Sequence, residues 1–375
     1  MENKMQEKAI QDLVYLISCA VNQTSPAPER LQSMDLSAVF EAADQHSVSA
    51  ATAYALESAG VKTEQTRQAI AKAVRSLAIM EEEKLALFER LEQAGIWYMP
   101  LKGAVLKDYY PIFGMREMGD YDILFDDSRA EDVKNIMEEL GFTTQQYGPF
   151  DNHDVYFKPP VSNFEMHRKL FDVTAADELA DYNSSTAQRL LKDEGNRYGY
   201  HFSWEDFYVY LTLHEYKHFQ SGGTGLRSLL DTYVFLKRFG NELHWDHVKA
   251  ECGKLNLTNF ECLNRDLSRK LFAGQPLSQA EAEMFHYVIG SGTYGTLDHF
   301  IQNRIGIGED GHTNKLGYIF RRIFLPMDVV RRSYPLFYRH PLLLPFLPFY
   351  RLAISRQKHT RLGILRELKQ LRKMK

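Results

Sequence analysis

Cysteine is scarce in this chain: Cys19, Cys252 and Cys262 are the three among 375 residues. They cannot all pair and none stands in a metal-ligand doublet, which excludes a disulfide scaffold and a thiolate zinc ribbon and fits a reducing, cytoplasmic setting. Long apolar runs are also missing. No stretch reaches the ~18 residues that a membrane span requires, and the richest, Pro341-Leu-Leu-Leu-Pro-Phe-Leu-Pro-Phe-Tyr350, carries three prolines that interrupt a helix. Neither an internal repeat nor a low-complexity segment is visible. With 44% hydrophobic and 25% charged residues, the composition is that of a globular chain, and the length suggests two or three units at ~150 residues each.

The net charge of −4 conceals an asymmetry. Residues 315–375 hold fifteen Lys and Arg against two acids, Asp328 and Glu367, so a basic tail follows an acidic body. A tail of this kind marks an anionic partner such as nucleic acid or a membrane face, or is a solvated surface. At the other end, Leu13 to Val21 has the apolarity of a leader, but Glu2, Glu7 and Asp12 acidify what precedes it. Ile10, Leu13, Val14, Ile17 and Val21 trace one helical face instead.

Apolar spacing of three and four residues predicts helices through residues 1–95, with a long one from about Thr63 to Gln93 closing at Gly95. The period then changes. Ile96-Trp-Tyr-Met reads as a strand, Leu101 to Tyr110 as a turn into a helix, and Gly119-Asp-Tyr-Asp-Ile-Leu-Phe125 alternates as a strand. A helix from Ser128 to Leu140 ends at Gly141, and two further strands, Asp154–Lys158 and Asn163–Leu170, are joined by Pro-Pro-Val-Ser. Helices return at Glu205–Gln220, Leu226–Phe239 and Trp245–Leu255.

The chemistry concentrates in the mixed region. On a strand, Asp120 and Asp122 face one side while Tyr121 and Ile123 face the other. Adjacent carboxylates raise each other's pKa unless a cation lies between them, and Mg²⁺ is the hard ion that prefers such oxygens. Glu165 shares a strand face with His167 and offers a third acid, with Asp154 as its competitor. Three carboxylates on neighbouring strands can hold two divalent ions, which activate an attacking oxygen and steady a leaving pyrophosphate. Upstream, Lys102-Gly103-Ala104 opens a helix whose free N–H groups favour a triphosphate, with Lys102 and Arg116 adding charge-assisted contacts.

In that order, Leu101-Lys-Gly-Ala, then Arg116-Glu-Met-Gly-Asp-Tyr-Asp-Ile-Leu-Phe125, Gly141-Phe and Glu165-Met-His, the residues resemble the polymerase-beta-type nucleotidyltransferase superfamily. More narrowly they resemble its bacterial branch of uncharacterised nucleotidyltransferases. The resemblance implies an α+β fold, a mixed sheet flanked by helices within a mostly helical protein, together with Mg²⁺ and a nucleoside triphosphate. Gly103 matches the turn glycine, Asp120 and Asp122 the metal pair, and Glu165 the third acid. Ala104 stands where the family usually has Ser, and the gap to Asp120 is longer than the common one. His214, Lys217, His218, Gly225, Arg227 and Asp231 resemble a downstream helical element, so the likeness runs from Trp97 to Phe235.

A competing motif sits in that element, where His214-Glu215-Tyr-Lys-His218 spells the H-E-x-x-H of zinc peptidases on a predicted helix. Ser221 and Thr224 replace the glycine and histidine of the extended motif, and the Lys217 ammonium flanks the would-be dication. Arg227 and Asp231, four apart, read as a surface ion pair.

The resulting expectation is a Mg²⁺- or Mn²⁺-dependent nucleotidyltransferase acting on an acceptor hydroxyl of a small molecule, RNA or protein. Its metal ligands and catalytic residues are Asp120, Asp122 and Glu165, and its nucleotide contacts Lys102, Gly103, Arg116, Lys217 and His218. Its parts are an N-terminal helical region (1–95), the transferase core (96–195), a helical domain lining the cleft (196–314) and the basic tail (315–375). A non-catalytic nucleotide-binding protein is the alternative, and a zinc peptidase a remote one.

Overall fold

The computed structural model describes residues 2–148, 152–171 and 177–293 and, further on, 324–325, 327, 330–331 and 334–354. The chain opens with four helices, α1 (Glu2–Asn22), α2 (Pro28–Leu31), α3 (Leu36–Gln45) and α4 (Ser49–Ser58). The stripe read from the sequence of α1 is its buried face, with Leu13, Leu16 and Ile17 wholly enclosed. Helix α5 (Glu64–Ala94) starts at a reciprocal Thr63–Thr66 capping box and stops where Gly95 takes φ +67. Of its buried apolar residues, Met80, Leu87 and Leu91 share a core with the sheet.

The sheet follows from the change in hydrophobic period. Strand β1 (Tyr98–Pro100) leads through the short α6 (Gly103–Leu106) to β2 (Tyr121–Phe125), then α7 (Ala130–Glu139), β3 (Thr143–Gln146), β4 (His153–Lys158) and β5 (Ser162–His167). The strand order is β1-β2-β5-β4-β3. Only the central pair, β2 with β5, runs parallel, and it sets Asp122 opposite Glu165. Alternation then divides the sheet. Tyr121, Ile123, Phe164 and Met166 pack against α5 and α7, with the Tyr121 and Phe164 rings stacked at 5.3 Å. On the opposite face Met99 and Leu124 join the core of the helices that follow. Full burial of side chains of this size contributes about 1.5–3 kcal/mol each, so the register of β2 is fixed by its apolar face and the acids have no choice of side.

Beyond the sheet come α8 (Asp177–Ser184), α9 (Thr186–Arg189), the small pair β6 (Leu191–Lys192) and β7 (Tyr200–His201), and then α10 (Trp204–Ser221), α11 (Leu226–Phe239), α12 (Trp245–Lys254), α13 (Thr258–Phe272) and α14 (Gln279–Ser291). Leu226, Leu229 and Val234 of α11 share one core with α1, α3 and α4, so the helices before the sheet and those after it are packed together. Two short helices, α15 (Pro335–Arg339) and α16 (Leu347–Ile354), belong to the C-terminal part. Of the basic tail, residues 315–323, 326, 328–329, 332–333 and 355–375 lie outside the described residues. Among the described residues no helix is long and apolar enough to cross a membrane.

One buried ion pair fastens α11 to the loop before β2. Arg116 donates from Nε and Nη2 to the two oxygens of Asp231, each at 2.8 Å, and the Tyr110 hydroxyl donates to Oδ1 at 2.7 Å. This corrects the expected surface pair of Arg227 with Asp231. Helix α11 is buried around most of its circumference, including Asp231, whereas Arg227 reaches the Glu117 carbonyl at 3.4 Å. Asp231→Ala leaves the Arg116 charge enclosed without its partner, which is expected to cost about 3–5 kcal/mol in urea unfolding. Tyr110→Phe removes a single hydrogen bond, with an expected loss of ~1 kcal/mol. Equal losses from the two variants would contradict the latch.

Candidate active site

The turn between β1 and α6 carries the first functional group. Lys102 holds φ +44 and ψ −119, a conformation ordinarily left to glycine, at a strain of about 1–3 kcal/mol. Hydrogen bonds from Leu101 N to the Asp122 carbonyl (2.9 Å) and from Ala104 N to the Leu101 carbonyl (3.0 Å) hold it there. In this position its ammonium lies 2.6 Å from Asp122 Oδ1. Gly103 follows for a reason the sequence does not show: a Cβ on it would stand 2.3 Å from Arg116 Nη1. The glycine makes room for a guanidinium of the protein itself.

Asp122 is buried and sits between two nitrogen donors, Lys102 Nζ and His167 Nε2, the latter at 2.8 Å. Burial works to raise its pKa, but these two neighbours outweigh it and hold the carboxyl well below the usual range. Glu165 lies across the parallel register from Asp122. Its Oε2 is 3.8 Å from His167 Nε2 and 3.7 Å from His153 Nε2. Burial first, and then the negative charges of Asp122 and Asp120, push Glu165 up to about 7. Asp120, one residue ahead of β2, is raised for the same reasons, with Lys102, Arg227 and Arg116 offsetting part of the effect. For both carboxyls burial is the larger cause and the negative charge of Asp122 the second.

The residues expected to hold metal and nucleotide all line one cleft of about 430 Å³: Lys102, Gly103, Arg116, Asp120, Asp122, Glu165, Lys217 and His218. The guanidinium of Arg116 is engaged by Asp231, and Lys217, His218 and Arg227 line the cleft from α10 and α11. Asp154, the competitor of Glu165, is fully buried in an ion pair with Arg168 at 2.8 Å and is no part of the cleft wall.

Of the imidazoles in the cleft, sequence reasoning named His218 as a nucleotide contact and pointed to His214 and His167, but missed His153. His153, His167, His214 and His218 all line the cleft, and burial lowers each of them, His153 and His218 to about 4, so all four are neutral at pH 7. His167 was visible in the strand alternation with Glu165. His153 joins only through the β4–β5 register, which sets it opposite His167.

The H-E-x-x-H pattern comes apart in the same view. His214 and His218 do turn their Nε2 atoms toward each other, 3.0 Å apart. Glu215, which a peptidase needs as general base, is enclosed and accepts hydrogen bonds from Thr232 Oγ1 at 3.1 Å and Asn264 Nδ2 at 2.8 Å. Burial and the nearby Asp231 hold its pKa well above the usual carboxyl range. It is a structural acid that ties α10 to α11 and α13.

The family described as uncharacterised nucleotidyltransferases matches residues 32–273, a span that contains all three carboxylates, the Lys102 turn and the α10–α11 wall. No curated protein matches the chain. A solved structure of an antigenic nucleotidyltransferase-like protein from Paracoccidioides brasiliensis is 14% identical, covers 54% of this chain and 96% of its own, and superposes with a TM-score of 0.32, a likeness too slight to bear on function. With a match that takes in more than half of its length and the acidic cleft itself, the chain belongs to the uncharacterised nucleotidyltransferase family and is a nucleotidyltransferase.

Proposed function

We propose that this nucleotidyltransferase is of the polymerase-beta type and moves a nucleoside monophosphate from a nucleoside triphosphate to an acceptor hydroxyl, with pyrophosphate leaving. The observation that carries the reading is the convergence of Asp120, Asp122 and Glu165 beside the Lys102 turn in one cleft. Their chemistry fits a hard divalent ion: the donors are carboxylate oxygens, and the neighbouring negative charges add to burial in raising Asp120 and Glu165. Asp120, Asp122 and Glu165 would hold two Mg²⁺ ions, or Mn²⁺, which when bound neutralise phosphate charge and activate the attacking oxygen.

The remaining tasks fall to the protein's own groups. Lys102, which burial disfavours but Asp122 and Asp120 keep charged, stands at the phosphate end of the cleft. Lys217 and Arg227 add cationic groups to the opposite wall, with His218 beside them as a neutral hydrogen-bonding group. Arg116, expected to touch phosphate, is better read as the positioning group that packs against Gly103 and fixes the turn. In-line transfer asks for little covalent work from the enzyme, so placement and charge neutralisation supply the rate. The free thiols, with Cys262 exposed, support action in a reducing compartment.

The direct test is incorporation of label from the four nucleoside triphosphates into lysate acceptors. Asp120→Asn, Asp122→Asn and Glu165→Gln are each expected to lower Mg²⁺-dependent labelling by about 10²-fold or more. Undiminished labelling in these variants would contradict the mechanism. Nucleotide binding without turnover in the unaltered chain would make it a binding protein instead.

A pH dependence follows from Glu165, whose proton must leave before it can ligate a cation. With its pKa raised to about 7, the ionised fraction falls from about nine-tenths at pH 8 to about one-tenth at pH 6. Mg²⁺ affinity, measured by titration calorimetry, is expected to be about tenfold weaker at pH 6 than at pH 8. An affinity flat across that range would remove Glu165 from the metal set.

A further inference from the structure

We propose that His153, Glu165 and His167 form a binding site for a divalent transition-metal ion of the Zn²⁺ or Co²⁺ class, on the β4–β5 side of the cleft. Both imidazole Nε2 atoms lie near the same Glu165 oxygen, at 3.7 Å and 3.8 Å. All three donor atoms lie within 4.8 Å of one another, and among the described residues this is the group of three that can share an ion. Two ligands held at ~2.1 Å by one tetrahedral ion stand about 3.4 Å apart, so the triad closes on an ion by side-chain rotation alone. The backbone is already in place. His153 and His167 are direct partners across the β4–β5 ladder, and Glu165 is two residues before His167 on the same face.

The donor set decides the class of ion. Two imidazoles and a carboxylate suit Zn²⁺ and its neighbours, whereas Mg²⁺ takes oxygen ligands and gives up its waters reluctantly. Asp122 Oδ1 accepts from His167 Nε2 at 2.8 Å and from Lys102 Nζ at 2.6 Å, so His167 ligates through Nε2 once its proton moves to Nδ1, a buried atom without a hydrogen-bond partner among the described residues. The competing pair, His214 and His218, has no equivalent third ligand among the described residues, and Glu215 is committed to Thr232 and Asn264. The proposal deepens the proposed function, on which it rests only for the sharing of Glu165. It sets a transition-metal site beside the Mg²⁺ ligands Asp120 and Asp122, with Glu165 common to both.

Co²⁺ titrated into the full chain without nucleotide or acceptor, and followed by its visible ligand-field absorption, tests this independently of any transfer assay. One Co²⁺ per chain is expected, displaced by stoichiometric Zn²⁺ and retained in about a hundredfold excess of Mg²⁺. His153→Asn is expected to weaken Co²⁺ binding about tenfold or more, while His214→Ala leaves it within about twofold. With its side chain 25% exposed, His153 tolerates that change, and circular dichroism confirms the folded state. Absence of a Co²⁺ spectrum, displacement by Mg²⁺, or loss of binding in His214→Ala with retention in His153→Asn would each overturn the proposal. A failed transfer assay would count against the proposed function and leave the Co²⁺ result as it is.

Discussion

The parallel pairing of β2 with β5 is the constraint on which the rest of the site depends. It brings Asp122 beside Glu165 across a single ladder step, in a place where burial has already removed most of the water that would screen them. Apolar residues on the other face of both strands enforce the arrangement: a slip of one residue would turn Tyr121, Ile123, Phe164 and Met166 out of their core. The energy of the α5–α7 packing layer is thus what holds like charges together on the cleft side. Burial raises the Glu165 and Asp120 carboxyls first, and repulsion that a flexible loop would relieve adds to it.

Around that charge cluster the fold adds devices that make sense only with it. Lys102 takes a backbone conformation better suited to glycine and in doing so reaches Asp122. Arg116 and Asp231 neutralise each other and hold α11 against the loop before β2, and Lys217 and Arg227 line the same cleft as the acids. Glu215 performs a similar fastening one layer deeper. The cleft is therefore an assembly of one sheet face and two helices, each fixed by a buried polar tie as well as by apolar packing.

Much of this could be read from the sequence, because the signals are local. Alternation around Tyr121 separated the acids from the core side, the same alternation put Glu165 with His167, and the α5 terminus was written in Gly95. What stayed hidden depends on residues far apart in the chain. Asp231 meets Arg116 across 115 positions, and only a helix buried nearly all round turns it inward, which four-residue spacing cannot reveal. Strand β3, Thr-Thr-Gln-Gln, is a polar edge strand with no apolar alternation to announce it. His153 acquires its neighbours solely from strand register, and the H-E-x-x-H pentapeptide misleads because a pattern of residue types does not say where Glu215 points.

The central claim is that the three carboxylates need a divalent cation before the cleft can accept a triphosphate. Its most direct test is calorimetric binding of a non-hydrolysable nucleoside triphosphate analogue to the full chain with and without Mg²⁺. The account predicts binding in the presence of Mg²⁺ and little or none without it, since the bare acids repel the phosphates. Equal affinity under both conditions would contradict it.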